Sequence, residues 1–508
     1  MTEQQVESRW KRRSKHQAQR ELTEDIHLPF VSPLLWSFFL AFFSVANPFF
    51  TQLATNLQEQ ILYAGWALQQ GQLVYKDVYG TAGILFYGLI WLGSSYQGTV
   101  LLILFQFLSY YFGGRKAFAL ANRLTGKTEV AAAATHFFYF LILILGFGGL
   151  YAALFTLPLL ILALDLLAPV SVGETGNKGF LKYGALAALV VLIDPLTGPL
   201  FFGVNSLYLF YRNLRAKQLG LGLSQLLAAL IGFSLLFYPL GYVTVWNGTF
   251  GQALNQGSYV WQTFQFTGAD QLQTAFFYGL FLVGVGLPLG LLALSQSSRT
   301  QESLFYLPLG IFGTLAIWLV ASSQGEFGFH QLLPGLIYFW LLQIFSFDRI
   351  QSGLQPGRHQ KKRRMSSLFQ GYLASLFYLP LLLGAVLVLL PLGQKWLGER
   401  SLEAERQDVL AYLQQEADRS DTIYAWDSRA NWYQEAGKWS ASALLSPVYY
   451  QQLPENQLRL ANDLESVRPR YIVVNPNLAL LEDVDKELTT TYTEVKTDLQ
   501  TLKLYERK

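Results

Sequence analysis

The chain has 508 residues, 52% of them apolar and only 14% charged, with a formal net charge of +3. That composition and a positive mean hydropathy exclude an ordinary soluble globular chain and point to a membrane protein. There is no cysteine, which removes disulfides, thiolate catalysis and cysteine-ligated metal centres and leaves the redox compartment open.

Residues 1–29 are basic and precede the apolar run 30–50. The run follows basic residues as a signal peptide would. It lacks a small-x-small cleavage site and is longer than a signal core, so it reads as a retained anchor. A crossing helix needs about 20 mainly apolar residues. The predicted spans are 30–50, 98–114, 129–147, 150–168, 181–193, 196–211, 222–245, 273–294, 303–322, 329–347 and 367–392. Spans 181–193 and 196–211 are short and flank Asp194-Pro195, which reads as a break at their shared tip. The run 84–93 is too short to cross and reads as interfacial or re-entrant.

Lys and Arg cluster before the first span, after the second, and in the later loops, ending with the tract HQKKRRM (359–365). Eleven spans put every cluster on the cytoplasmic side. The first outer loop (51–97) and residues 395–508 then lie outside. The clusters read as topological retention signals and not as nucleic-acid sites; HQKKRRM is the best exception, as a contact for anionic lipid. Residues 395–508 carry 14 Lys/Arg against 19 Asp/Glu. Helical patterns near 402–417 and 455–467 alternate with strand patterns at 422–426, 470–474 and 501–506, which predicts a parallel or mixed sheet with helices on it. The expected fold is a polytopic α-helical membrane domain (30–394) of about 11 transmembrane helices, followed by a small extracytoplasmic α/β domain (395–508).

On the outer side this topology leaves few charges: the acids Glu59, Asp77, Asp270 and Glu326, with Asp194 at the helix tip, and the cations Lys76 and His330. A carboxylate in so apolar a setting has a raised pKa, which suits a general acid or base. A plain water-facing loop acid is the alternative, and for Asp270 the better one. The five histidines lie far apart without HxxxH spacing, so no metal site is expected; a divalent ion held by carboxylates is not indicated.

The segment 56–94 follows the first span with an acid, an amphipathic helix, Gly71, the triplet Tyr75-Lys76-Asp77 and a short apolar helix. Here the sequence resembles the GT-C fold of membrane glycosyltransferases, in the family 39 group that includes protein mannosyltransferases and aminoarabinose transferases. Tyr63 and Ala67, Gly71, and Tyr75-x-Asp77 match the group's first-loop pattern. Residues 184–202 resemble its glycine-rich segment ending in Lys-Pro-Thr-Gly, and HQLLP (330–334) resembles its His-Tyr-x-Leu-Pro element. TIYAWDS (422–428) and PRYIVV (469–474) fit its C-terminal pattern. The chain departs from the group where it counts. The Asp-Glu pair used as catalytic acid or base is not present as such, and only Glu59 lies near its place. Thr81-Ala82-Gly83 stands for Lys-Pro-Pro, and Asp194 for the lysine before proline.

The resemblance implies transfer of a sugar from a polyprenyl-phosphate donor, entering laterally from the bilayer, to a glycan, lipid or protein acceptor at the outer face. It assigns acceptor deprotonation to Glu59 first and Asp77 second. Lys76 and His330 would stabilise the leaving phosphate, with Tyr75 and Asp194 in the substrate site. The rings of Trp66, Tyr75 and Trp91 read as interfacial anchors in preference to sugar stackers. Two alternatives stand beside this one. The first is a non-catalytic relative that binds lipid-linked sugars. The second is a transporter or flippase, which the broken helix favours and the lack of repeated halves opposes.

Overall fold

A computed structural model describes residues 30–95, 98–171, 177–265, 268–292, 301–324, 327–353, 368–418, 420–496 and 499–508. The basic segment 1–29, the tract 359–365 and Glu326 lie outside the described residues.

Apart from short helical turns, the helices up to residue 393 are α1 (Val31–Phe42), α2 (Asn56–Gln69), α3 (Ile84–Gly93), α4 (Val100–Thr125), α5 (Thr128–Leu145), α6 (Ala152–Leu166), α7 (Asn177–Ile193) and α8 (Thr197–Arg215). They continue with α9 (Leu219–Trp246), α10 (Phe250–Gly257), α11 (Ala269–Gly284), α12 (Gln301–Ser322), α13 (Leu336–Gly353), α14 (Leu368–Ser375) and α15 (Leu379–Gly393). Each predicted span falls on a helix or a helix pair. Among the described residues four helices are long and apolar enough to cross a membrane: α5, α6 extended to Ser171, α9 and α12. The pair α14 and α15 makes a fifth if counted together, bent by 87° at its break. The predicted interfacial run is the ten-residue α3.

The first span is shorter than predicted. Helix α1 stops at Phe42, where Asn47 Nδ2 donates to the Phe42 carbonyl at 2.9 Å. Ser44 Oγ and Val45 N then both donate to Gly148 O, at 3.0 and 2.9 Å. These bonds draw residues 43–50 back over the bundle instead of prolonging the helix.

Helices α7 and α9 pack backbone to backbone. A Cβ on Gly184 would sit 1.8 Å from Ala229 O, and one on Gly232 would sit 1.9 Å from Leu181 O. Small residues permit such close approach between membrane helices. Gly232→Val should therefore push α9 away and destabilise the bundle by about 1–3 kcal/mol, the usual cost of overpacking. Thermal unfolding of detergent-purified protein measures it; an unchanged midpoint would contradict the close packing. The rest of α9 faces outward, with 11% of its most apolar stretch buried, as a lipid-facing helix should be.

Beyond residue 393 come α16 (Arg400–Glu416), β1 (Thr422–Trp426), α17 (Trp432–Ala436), β2 (Trp439–Ser440), α18 (Pro454–Val467), β3 (Tyr471–Val474), α19 (Glu482–Thr491), β4 (Tyr492–Glu494) and β5 (Lys503–Arg507). The sheet order is β2-β1-β3-β5-β4. β1 pairs in parallel with β2 and β3, whereas β5 runs antiparallel to β3 and β4. The sheet is mixed, as predicted. Strands β1 and β3 are central and almost wholly buried, which is why they read as unbroken apolar runs. The short elements α17, β2 and β4 escape the sequence because their patterns are too brief to show a period.

Apolar packing forms two clusters. One fills the helical bundle around α5, α12 and α13. The other joins the long loop after α1, including α2 and α3, to the core of the C-terminal domain. Loop and domain thus form one packed body.

Candidate functional site

Two opposite faces of α2 decide what the first loop does. Leu57, Gln60, Ile61 and Ala64 line a cavity. Glu59, Tyr63 and Trp66, spaced to share the other face at 100° per residue, meet the C-terminal domain. Tyr63 packs on Tyr433 and Trp66 on Trp439, with ring centroids 5.5 and 4.7 Å apart. The anchoring expected of Trp66 is therefore replaced by a contact within the protein. Glu59 is buried; it is ion-paired to Arg429 and accepts a hydrogen bond from Ala430 N at 2.7 Å. Burial raises its carboxyl pKa, and Arg429 and Lys395 oppose that shift. Lys395, whose Nζ donates to Ala54 O at 2.7 Å, is pushed down to about 8 by burial and then by Arg429.

The next stretch is a tight turn. Asp77 accepts from Leu73 N at 2.8 Å through its side chain, and its own N–H donates to Leu73 O at 2.9 Å. Tyr75 is buried, with φ at 71°, and its hydroxyl donates to Ala82 O at 2.8 Å. From α10, the buried Gln256 clamps the turn, donating to Tyr75 O at 2.7 Å and accepting from Gly80 N at 2.9 Å. Lys76 points to solvent. Asp270 is exposed in the first turn of α11, the favourable end of a helix for an acid.

Pro195 ends α7, since it has no N–H to continue the ladder, and Asp194 caps α8. Its Oδ1 accepts from Leu196 N at 3.0 Å and its Oδ2 from Thr197 Oγ1 at 2.6 Å. Burial pushes the carboxyl pKa up, and these bonds pull against it. His330 lies in the 3₁₀ turn Phe329–Gly335, its ring stacked on Tyr151 with centroids 5.2 Å apart.

The structure brings Asp194 and His330 together on the wall of the cavity beside α2. It does not bring Glu59, Asp77 or Lys76 there, and Tyr75 lines a second, apolar groove. Among the described residues Asp194 is the only carboxylate on the cavity wall, and no Lys or Arg reaches it. Six tyrosines do: Tyr79, Tyr87, Tyr151, Tyr259, Tyr449 and Tyr450. The apolar groove, bounded by Ile84, Leu192, Pro195, Tyr238 and Tyr242, shares Gly257 with the cavity. Ala82-Gly83 and Asp194-Pro195 each turn one residue to either side. The groove opens along α9, where Tyr238 and Tyr242 are 70% and 58% exposed. Among the described residues no three His, Asp or Glu side chains cluster to hold a metal. The tyrosines at 449 and 450 escape sequence reading because they come from the far domain. Their one local signal is an adjacent aromatic pair in a polar loop.

A helical bundle, a folded first long loop with a short apolar helix, and a C-terminal α/β domain seated on that loop make up the GT-C architecture of membrane glycosyltransferases. The chain superposes on ArnT from Cupriavidus metallidurans bound to undecaprenyl phosphate with a TM-score of 0.60 and 14% identity, over 94% of this chain and 97% of that one. For the same protein in the apo state the TM-score is 0.57 and the identity 13%, over 88% and 92%. No curated protein matches. Residues 16–397 match the family described as "Putative competence-induced protein Ccs4 N-terminal domain", and residues 403–508 the corresponding Ccs4 C-terminal domain. The chain belongs to this Ccs4 family.

Proposed function

We propose that this protein is a membrane glycosyltransferase that moves a sugar from a polyprenyl-phosphate donor to an acceptor at the outer membrane face. One observation carries the reading: a tyrosine-walled cavity that holds Asp194, His330 and three glutamines meets a more apolar, lipid-facing groove back to back at Asp194-Pro195. A prenyl chain needs such a groove, and the sugar it carries needs such a chamber. Similarity to a GT-C structure that holds undecaprenyl phosphate supports the same assignment. In this orientation the basic loops are cytoplasmic, and the first loop and C-terminal domain lie outside. Glu59 faces away from the cavity on α2, so Asp194 takes the base role and deprotonates the acceptor hydroxyl. His330 faces the same space and donates toward the leaving phosphate. Membranes overproducing the protein should consume a radiolabelled polyprenyl-phosphate sugar above the level of control membranes; equal consumption in both would sink the proposal.

A second reading, a non-catalytic relative that binds lipid-linked sugars, has its own support. Glu59 is sealed in an ion pair, and no Lys or Arg among the described residues lines the cavity. Saturable binding of undecaprenyl phosphate without any turnover would favour it.

A further inference from the structure

We infer that the Tyr449-Tyr450 turn of the C-terminal domain is a specificity element, and that the cavity it closes takes a neutral carbohydrate. The inference rests on the proposed function, with the acceptor bound in this chamber beside the donor's sugar. Tyr450 has φ at 67°, a left-handed conformation that is a true outlier for a bulky side chain. Such strain persists where the surroundings over-determine it, and it concentrates at ligand clamps. The surroundings here are specific. The buried Asn456 donates through Nδ2 to Tyr450 O at 2.7 Å and to Tyr79 OH at 3.1 Å. The Tyr450 ring lies against Tyr79 and Tyr259, with centroids 4.8 and 5.2 Å away. Tyr79 N in turn donates to Ala443 O at 3.0 Å. First loop, α10 region and soluble domain therefore meet at one aromatic corner of the cavity.

The rest of the wall fits the same ligand. Tyrosine rings offer flat apolar faces with hydroxyl tips, which suit the C–H faces and hydroxyls of a sugar ring. Gln60, Gln324 and Gln331 supply amides. Gln324 Nε2 is buried and has no acceptor among the described residues, so a ligand oxygen would satisfy it. A phosphorylated or carboxylated acceptor would call for Arg or Lys, which bind such groups strongly, and would instead meet Asp194. A neutral glycan meets no such conflict.

The test is binding to detergent-purified protein by isothermal titration calorimetry, with maltotriose and fully N-acetylated chitotriose as neutral probes and glucose 6-phosphate as the charged one. At least one neutral probe should bind saturably and more tightly than glucose 6-phosphate. Tyr450→Gly removes the ring but adopts the left-handed backbone without strain, so it should stay folded and bind roughly tenfold more weakly, the scale of a lost aromatic contact. Tyr450→Phe should keep most of the affinity. No saturable binding by either neutral probe, a preference for glucose 6-phosphate, or unchanged binding by folded Tyr450→Gly would each overturn the inference. Because the assay needs no turnover, a missing transferase activity alongside this binding pattern would sink the proposed function alone.

Discussion

Arg429→Ala should destabilise the protein by about 3–5 kcal/mol, the usual result of removing one partner from a buried ion pair. The cause lies in what is left behind. Glu59 and the Arg429 side chain are 1% and 6% exposed, so Glu59 would keep a buried charge with only Ala430 N at 2.7 Å to satisfy it. Lys395 stands near enough to lower the Glu59 pKa, and its Nζ is held on Ala54 O. Glu59→Gln should cost less, because an amide is cheaper to bury than an ion. The double variant Glu59→Leu/Arg429→Met should recover much of the loss, since apolar replacements of a buried pair are often neutral. Thermal unfolding of all four proteins in one detergent measures these differences. If Arg429→Ala melts with the wild type, the pair does not hold the C-terminal domain to the loop. In none of these variants should transfer per folded molecule fall in proportion to stability, because Glu59 faces away from the cavity.

Asp194→Asn should behave in the opposite way, with normal stability and transfer lowered by about 10²–10⁴-fold, the worth of a general base. Asparagine caps a helix as well as aspartate does, so the bond from Leu196 N survives, and Thr197 Oγ1 can accept where it now donates. The fold of α8 is kept and the proposed base is lost. Asp194→Leu removes the cap as well and should cost about 1 kcal/mol in addition. The pH profile adds an independent sign. Burial raises the carboxyl pKa, a base works only when ionised, and transfer must therefore rise with pH through that raised value. The acid limb of the wild-type profile should lie above the ordinary aspartate range. Transfer assays on equal amounts of folded protein decide the matter; full activity in Asp194→Asn removes the residue from the chemistry.

Much of the architecture was legible in the residues alone. Apolar runs located the helices, the Asp194-Pro195 pair located a break, and TIYAW and YIVV located the two central strands. The resemblance carried by Tyr63, Gly71, Asp77 and HQLLP points to the same fold as the superposition. These are local signals, set by hydropathy over about 20 residues or by a proline's missing N–H, and they need no knowledge of distant partners. The end of α1 is not legible for the converse reason, because the carbonyl that pulls the chain back belongs to Gly148.

The site was less legible. Sequence placed Glu59, Asp77, Lys76 and Asp194 on the outer side and ranked Glu59 first as the base, whereas in the folded chain only Asp194 of the four lines the cavity. Glu59 and Gln60 are neighbours in sequence, yet 100° of helical rotation sends one to Arg429 and the other to the cavity. Which face is which depends on a domain some 370 residues away, with Ala430 N bonded to Glu59 across that separation. The tyrosine corner formed by Tyr79, Tyr259 and Tyr450 is assembled from three distant segments in the same way. The sequence by itself determined the membrane class, the helix positions and the broken tip, since each follows from short-range chemistry. Only the tertiary structure decided which carboxylate meets the cavity, because that depends on helix rotation and on long-range packing between loop and domain.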